Sequence, residues 1–196
     1  MKTIAILLFN DVEVLDACGP FEVFATAKDV DGSALFHVVT VAESTGLIRS
    51  VGGLLLKPHH DLEHCPHIDV LLIPGGVGRK YEVGNTRVID WIRARAARAE
   101  LVVSVCTGAF LIAQAGLLDG LAATTHHSTF DEFVAQFPGT SVQRNVRYVD
   151  AGRVISAAGI AAGIDASLYA LARLAGAQVA VATAERMEYP LPPSIV

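Results

Sequence analysis

Several short segments of this chain are apolar on both faces, and a strand with no polar face has to be covered on both sides. Thr3 to Leu8, Phe36 to Ala42, Asp69 to Ile73, Leu101 to Val105 and Arg153 to Ala157 read as strands. Weaker candidates lie at Leu121 to Thr125 and Asn145 to Val149. Strands of this kind belong to a parallel sheet sandwiched between helices. Helical patterns over Pro20 to Lys28, Thr86 to Ala99, Thr107 to Ala115, Phe130 to Gln136, Ala161 to Ala175 and Ala177 to Arg186 fill the intervals. The alternation predicts an α/β fold, a doubly wound sandwich with a mostly parallel central sheet. With 196 residues, 52% of them hydrophobic, and no Ser-rich or Pro-rich linker, a single domain over 1–196 is expected.

Ligands of such sheets bind at the carboxyl ends of the strands, and one strand end carries a reactive residue. The run from Leu101 to Val105 delivers Cys106 into Thr107-Gly108 and an apolar helix. This is the pattern of a nucleophile elbow, in which a sharp strand-to-helix turn exposes the side chain above the sheet edge. A cysteine at a helix N-terminus meets free backbone N–H groups and the positive end of the dipole, so its thiol pKa is expected to be lowered toward neutrality. The competing reading is a buried structural cysteine.

Two other segments should reach the same rim. Val70 to Ile73 opens into Pro74-Gly75-Gly76-Val77-Gly78, where backbone can approach a ligand closely. The N–H groups of Gly76 and Thr107 are suited to an oxyanion hole, with Gly75 beside the pocket; an ordinary Gly-rich turn is the alternative. Asp16 lies between apolar neighbours just before a helix that Gly19-Pro20 would open. It either satisfies orphan N–H groups at that helix start, or is a carboxylate held against the thiol with its pKa raised by burial. His126, after Leu121 to Thr125, could complete a Cys/His arrangement or be a plain loop residue; His127 follows it. His59, His60, His64, Cys65 and His67 match no zinc spacing and read as an irregular surface loop between Pro58 and Pro66, so no metal is expected.

Charge and cysteine usage narrow the partners. The net charge is −5, and the only cluster of cations is Arg93, Arg95 and Arg98 on one helix, which suits no nucleic acid. The apolar run Ile4 to Phe9 is too short for a membrane span or a signal peptide. Cys18, Cys65 and Cys106 are an odd number without paired spacing, pointing to a reducing, cytoplasmic setting. A small-molecule substrate is expected and no cofactor.

The strings Leu15 to Phe24, Ile73-Pro74-Gly75-Gly76, Ser104 to Ala109, Ala123 to His126 and Ala161 to Asp165, in this order, resemble the ThiJ/PfpI superfamily, the class I glutamine-amidotransferase-like group. The resemblance covers nearly the whole chain. It implies a flavodoxin-like sandwich, a nucleophilic Cys106 on the elbow and a homodimer. The proteases and the parkinsonism-linked deglycase of this superfamily place a glutamate near the cysteine. Asp16 in Leu-Asp-x-x-Gly-Pro, Ala162 to Asp165 and the tail Glu188 to Pro193 are instead similar to the isocyanide hydratases. That branch implies attack of Cys106 on the isocyanide carbon, with Asp16 as proton donor and then as base toward water. The pocket should be narrow and mostly apolar, with Ile160 and Ala161 in its wall.

The ligand-sensing halves of AraC-type regulators share much of the pattern, although a chain ending at Val196 is expected to have no room for their helix-turn-helix module. A redox-sensing or ligand-binding module, in which Cys106 is oxidised without turnover, therefore stands as the alternative. So do amidase, protease, glyoxalase and deglycase activities, which would lean on a glutamate and a histidine.

Overall fold

A computed structural model describes residues 1–191 and 195; positions 192 and 193 of the tail string lie outside the described residues. The elements in chain order are β1 (Lys2–Leu7), α1 (Val14–Thr26), β2 (Phe36–Ala42), β3 (Ile48–Arg49), β4 (Leu55–Leu56), β5 (His60–Asp61), β6 (Val70–Ile73), α2 (Arg79–Glu82), α3 (Thr86–Ala96), β7 (Leu101–Val105), α4 (Gly108–Gln114), β8 (Ala122–Ala123), α5 (Phe130–Gln136), β9 (Ser141–Val142), β10 (Tyr148–Asp150), β11 (Val154–Ala157), α6 (Ala162–Ala175) and α7 (Ala177–Arg186).

Seven strands form the main sheet in the order β10-β11-β7-β6-β1-β2-β5. Among the described residues, the only antiparallel pairing within this sheet is β10–β11. Every residue of β6, β7 and β11 is buried, as the two-sided apolar runs require. Helices α1, α6 and α7 pack together as one layer and α2, α3 and α4 as another. From β1 the chain moves outward to β2, then returns to β6 on the other side, so β1 and β6 flank the reversal point where such sheets bind ligands. Ile73 pairs with Ser104, and Val105 with Ala157, which brings the carboxyl ends of β6, β7 and β11 level. Cys106 therefore stands between the Pro74-Gly75 and Ala158-Gly159 segments.

Four sequence-based readings are corrected. Helix α1 starts at Val14 rather than at Pro20, and Pro20 lies inside it. Proline is most at home in a first helical turn because it lacks an N–H. Here the burial of Ala17, Val23 and Phe24 outweighs that preference, and Asp16 sits in the first turn of the helix. The histidine-rich segment is not wholly irregular: His60 and Asp61 form β5 on the edge of the main sheet, paired with Val41 and Ala42. The candidate strands Leu121 to Thr125 and Asn145 to Val149 shrink to β8 and shift to β10.

Helix α3 does more than cover the sheet. The Trp91 Nε1–H donates to the Leu62 carbonyl at 3.0 Å in a buried position, fixing the loop after β5. Trp91→Phe keeps most of the apolar volume but strands that carbonyl, so urea unfolding is expected to show a loss of about 1–3 kcal/mol. No described helix is long and apolar enough to cross a membrane.

Candidate active site

Cys106 has φ +57°, a left-handed conformation that non-glycine residues rarely adopt and that marks the sharp turn of an elbow. Its N–H donates to the carbonyls of Ala157 and Ala158, at 3.1 and 3.0 Å, which fastens the elbow to the end of β11. Its own carbonyl accepts from Thr125 Oγ1 at 2.9 Å. The sulfur is almost entirely buried but opens on a cavity of about 420 Å³.

Asp16 reaches the sulfur from α1. The carboxylate is fully buried, and Oδ2 accepts from the Gly75 N–H at 3.0 Å. Oδ1 is buried without a hydrogen bond, and the Cys106 thiol and the Ile160 N–H interact with the carboxylate. Burial pushes the Asp16 pKa up to about 7, against the opposing pull of Gly75 and Cys106. The Cys106 thiol is pushed up to about 12, first by burial and then by the Asp16 charge, while the N–H groups of Thr107 and Ile160 act in the other direction. The expected lowering of the thiol pKa is thus overturned. A helix of seven residues, α4, stabilises an anion at its start only modestly, and desolvation beside a carboxylate outweighs it. The pair holds one proton between two buried groups, a thiol at rest next to a base poised near neutrality.

The expected oxyanion hole is also rearranged. Gly76 lies on the rim, but its N–H donates to Thr107 Oγ1 at 3.0 Å, and that hydroxyl lies 3.2 Å from the Gly76 carbonyl. The backbone donors that face the sulfur are Thr107 and Ile160. Ile160 has φ +52°, a strained conformation for a β-branched residue, and its N–H turns toward both Asp16 and Cys106. Sequence reasoning placed Ile160 in a wall; nothing in the sequence signalled its N–H.

His126 lines the cavity but does not complete a Cys/His pair. Its Nδ1 lies 2.7 Å from Ser128 Oγ, its ring stacks on His127 at 4.3 Å, and among the described residues it has no hydrogen bond to Cys106. Burial and the neighbouring His127 lower its pKa, so it is neutral near pH 7. Four charged residues of the lining, Glu13, Arg79, Lys80 and Glu132, were missed. Arg79 is buried, stacks 3.8 Å above the Phe110 ring and pairs with Glu132 at 2.5 Å. A contact over 53 positions leaves no local signal. Among the described residues no group of three or more His, Cys, Asp or Glu side chains is placed to hold a metal ion. The histidine-rich segment engages its ring nitrogens locally: His59 Nδ1 accepts from the Thr40 N–H, and His64 Nδ1 lies 2.8 Å from Asp61 Oδ1.

A buried thiol, a buried carboxylate near neutrality and two backbone donors can add sulfur to an electrophilic carbon and move one proton to and from the adduct. The chain is similar to known proteins in sequence and in fold. An isonitrile hydratase of Pseudomonas putida is 37% identical over 192 residues, 97% of this chain and 80% of the relative. The transcriptional regulator GbdR of Pseudomonas aeruginosa is 25% identical over 96% of this chain, which spans about half the regulator's length. Among solved structures, a ThiJ/PfpI protein from Pseudomonas syringae superposes with a TM-score of 0.86 at 30% identity, covering 98% of this chain and 77% of that one. Drosophila melanogaster DJ-1beta does so with 0.85 at 19% identity, over 96% and 98% of the two chains, a likeness of fold. The match to the DJ-1/PfpI family spans residues 2–184, and the chain belongs to that family.

Proposed function

We propose that the protein is an isocyanide hydratase, converting an isocyanide and water to an N-substituted formamide. The observation that carries this reading is the buried Asp16–Cys106 pair, a carboxyl group of pKa about 7 against a thiol; the similarity to the P. putida isonitrile hydratase supports it. The ionised Asp16 takes the thiol proton as the Cys106 sulfur bonds to the terminal isocyanide carbon. The Asp16 acid then gives that proton to the same carbon, which leaves a neutral thioimidate on Cys106 and an ionised Asp16. Water adds to the thioimidate carbon while Asp16 removes one of its protons and passes it to the nitrogen. Collapse of the tetrahedral adduct breaks the carbon–sulfur bond, the hydroxyl proton returns through Asp16 to sulfur, and the formamide leaves. The N–H groups of Thr107 and Ile160 hold the polar intermediates.

Cys106 does not need to be a thiolate at rest, since its proton leaves only as the carbon–sulfur bond forms. A buried, weakly acidic thiol is poorly suited to peroxide sensing, which favours exposed thiolates. Asp16 rather than a glutamate, and a His126 that bonds Ser128, weigh against the amidase and deglycase readings. The reading includes a homodimer, as the resemblance implies, and a cytoplasmic setting, as the unpaired cysteines suggest.

The test is formamide production from phenyl isocyanide by the purified protein beside Cys106→Ala. Turnover is expected in the wild type and none in the variant. The reactive form carries one proton on the pair, so kcat/KM is expected to rise with pH through about 7 as Asp16 ionises, then level off. No formamide from protein with reduced Cys106, or a flat profile across pH 5–9, would sink the reading.

A further inference from the structure

A second cavity, of about 380 Å³, lies next to the one that Cys106 opens into. His126 and Ile160 line both and therefore form the partition between them. The partition is thin because the imidazole lies directly on the strand-end backbone: a Cβ on Gly159 would stand 2.2 Å from His126 Cδ2. Ser128, bonded to Nδ1, holds the ring in that position.

The two cavities differ in chemistry. The first carries Glu13, Arg79, Lys80 and Glu132, groups that hold water and whose dehydration by an uncharged organic substituent would be unfavourable. The second has Phe130, Val146, Ala158 and Ala161 in its walls beside the uncharged polar Thr125 and Asn145 and the ring of His127, and Arg147 is the one Asp, Glu, Lys or Arg that lines it. Arg147 is held from behind. Its Nε donates to Asp165 at 2.5 Å, and Asp165 accepts from Tyr189 Oη at 2.8 Å. The Ala162 to Asp165 string and the Glu188-Tyr189 tail thereby meet at this wall, a role that the reaction at Cys106 does not account for.

We propose that the second cavity receives the N-substituent of the isocyanide, an apolar group of aryl or cycloalkyl size, and that the charged first cavity delivers water. The inference rests on the hydratase reading above. With carbon bonded to the Cys106 sulfur, the substituent passes between Ile160 and His126 toward Val146, and the opposite face of the thioimidate stays open to the hydrated side. Attack of water and exit of the substituent are then kept apart by the same two residues.

The experiment compares kcat/KM for cyclohexyl and methyl isocyanide in the wild type, in Val146→Trp, which fills the second cavity, and in Val77→Trp, which fills the first. Both positions are solvent-exposed, Val146 at 38% and Val77 at 60%, so the larger ring does not have to enter the core. Val146→Trp is expected to lower the cyclohexyl-to-methyl ratio by about tenfold or more, the discrimination a filled apolar pocket gives. Val77→Trp is expected to leave that ratio unmoved. A ratio unchanged by Val146→Trp, or one that falls with Val77→Trp instead, overturns the inference while wild-type turnover of both compounds keeps the hydratase reading. Wild-type protein that hydrates neither compound overturns the reading and the inference together.

Discussion

Asp16→Asn is expected to abolish turnover and, at the same time, to make the protein harder to unfold. The activity side follows from the proton inventory: an amide can neither take the thiol proton nor return it to carbon, so kcat/KM should fall by about 10²–10⁴-fold. The stability side follows from the pKa. Asp16 titrates near 7 in the folded protein and near 3.8 when unfolded. Between those values the folded state binds more protons than the unfolded one, so stability falls as pH rises through this window and stays at its lower level above pH 7. The full difference, just over three pKa units, corresponds to about 4 kcal/mol, and at pH 5 only about 1–2 kcal/mol of it is present. Asparagine removes the ionisation and can still accept from the Gly75 N–H. Urea unfolding is therefore expected to show a gain for the variant that is larger at pH 8 than at pH 5. A gain independent of pH would mean that Asp16 titrates normally. The same variant should render Cys106 more acidic, since the Asp16 charge is one of the causes that raise it; iodoacetamide should alkylate the variant at lower pH than the wild type. A more acidic thiol in a dead enzyme would separate the need for a proton carrier from the need for a thiolate.

That division also shows which parts of the site can be read from a sequence. The strands β2 and β7 match the sequence reading residue for residue, β7 because a run buried on both faces has few alternatives and β2 because three valines stand between apolar ends. The elbow was legible for the same reason: Cys106 follows a buried strand and precedes an apolar helix without a loop between them. Asp16 stood out as a carboxylate with apolar neighbours, and the structure brings it to Cys106. What failed depended on distant contacts. The start of α1 was misplaced because Pro20 is a local signal, whereas the burial of Ala17 and Phe24 is a tertiary one. The thiol pKa was given the wrong direction because a helix N-terminus is visible in sequence and the depth of a sulfur is not. The Gly76 N–H was the right kind of donor, but Thr107 Oγ1 had already engaged it. The Arg79–Glu132 pair joins α2 to α5, two short helices that both line the cavity, and only the folded chain brings them together.

Gly75→Ala is expected to disturb the site strongly, because it sets a methyl group against the reacting pair itself. A Cβ there would stand 2.6 Å from both the Thr107 nitrogen and Oγ1, and 2.9 Å from Asp16 Oδ2. Two of these atoms belong to the reacting assembly and one is backbone, so no flexible side-chain end can swing away. Thr107 cannot retreat alone, because its hydroxyl is engaged by Gly76 and its residue continues the elbow from Cys106 into α4. The strain of such overpacking is typically about 1–3 kcal/mol and is higher where backbone must move. For a chain of this size that corresponds to a fall in Tm of roughly 2–12 °C. The loss of activity should exceed what unfolding explains. Relief of the clash pushes Asp16 away from the Gly75 N–H, which helps to keep its pKa near 7 rather than higher, and the rise of kcat/KM with pH should then shift to higher pH. Measured well below its Tm, the variant should show both the shifted profile and a lower plateau. An unchanged profile with only a lowered Tm would mean that the β6 loop supports the fold without positioning Asp16.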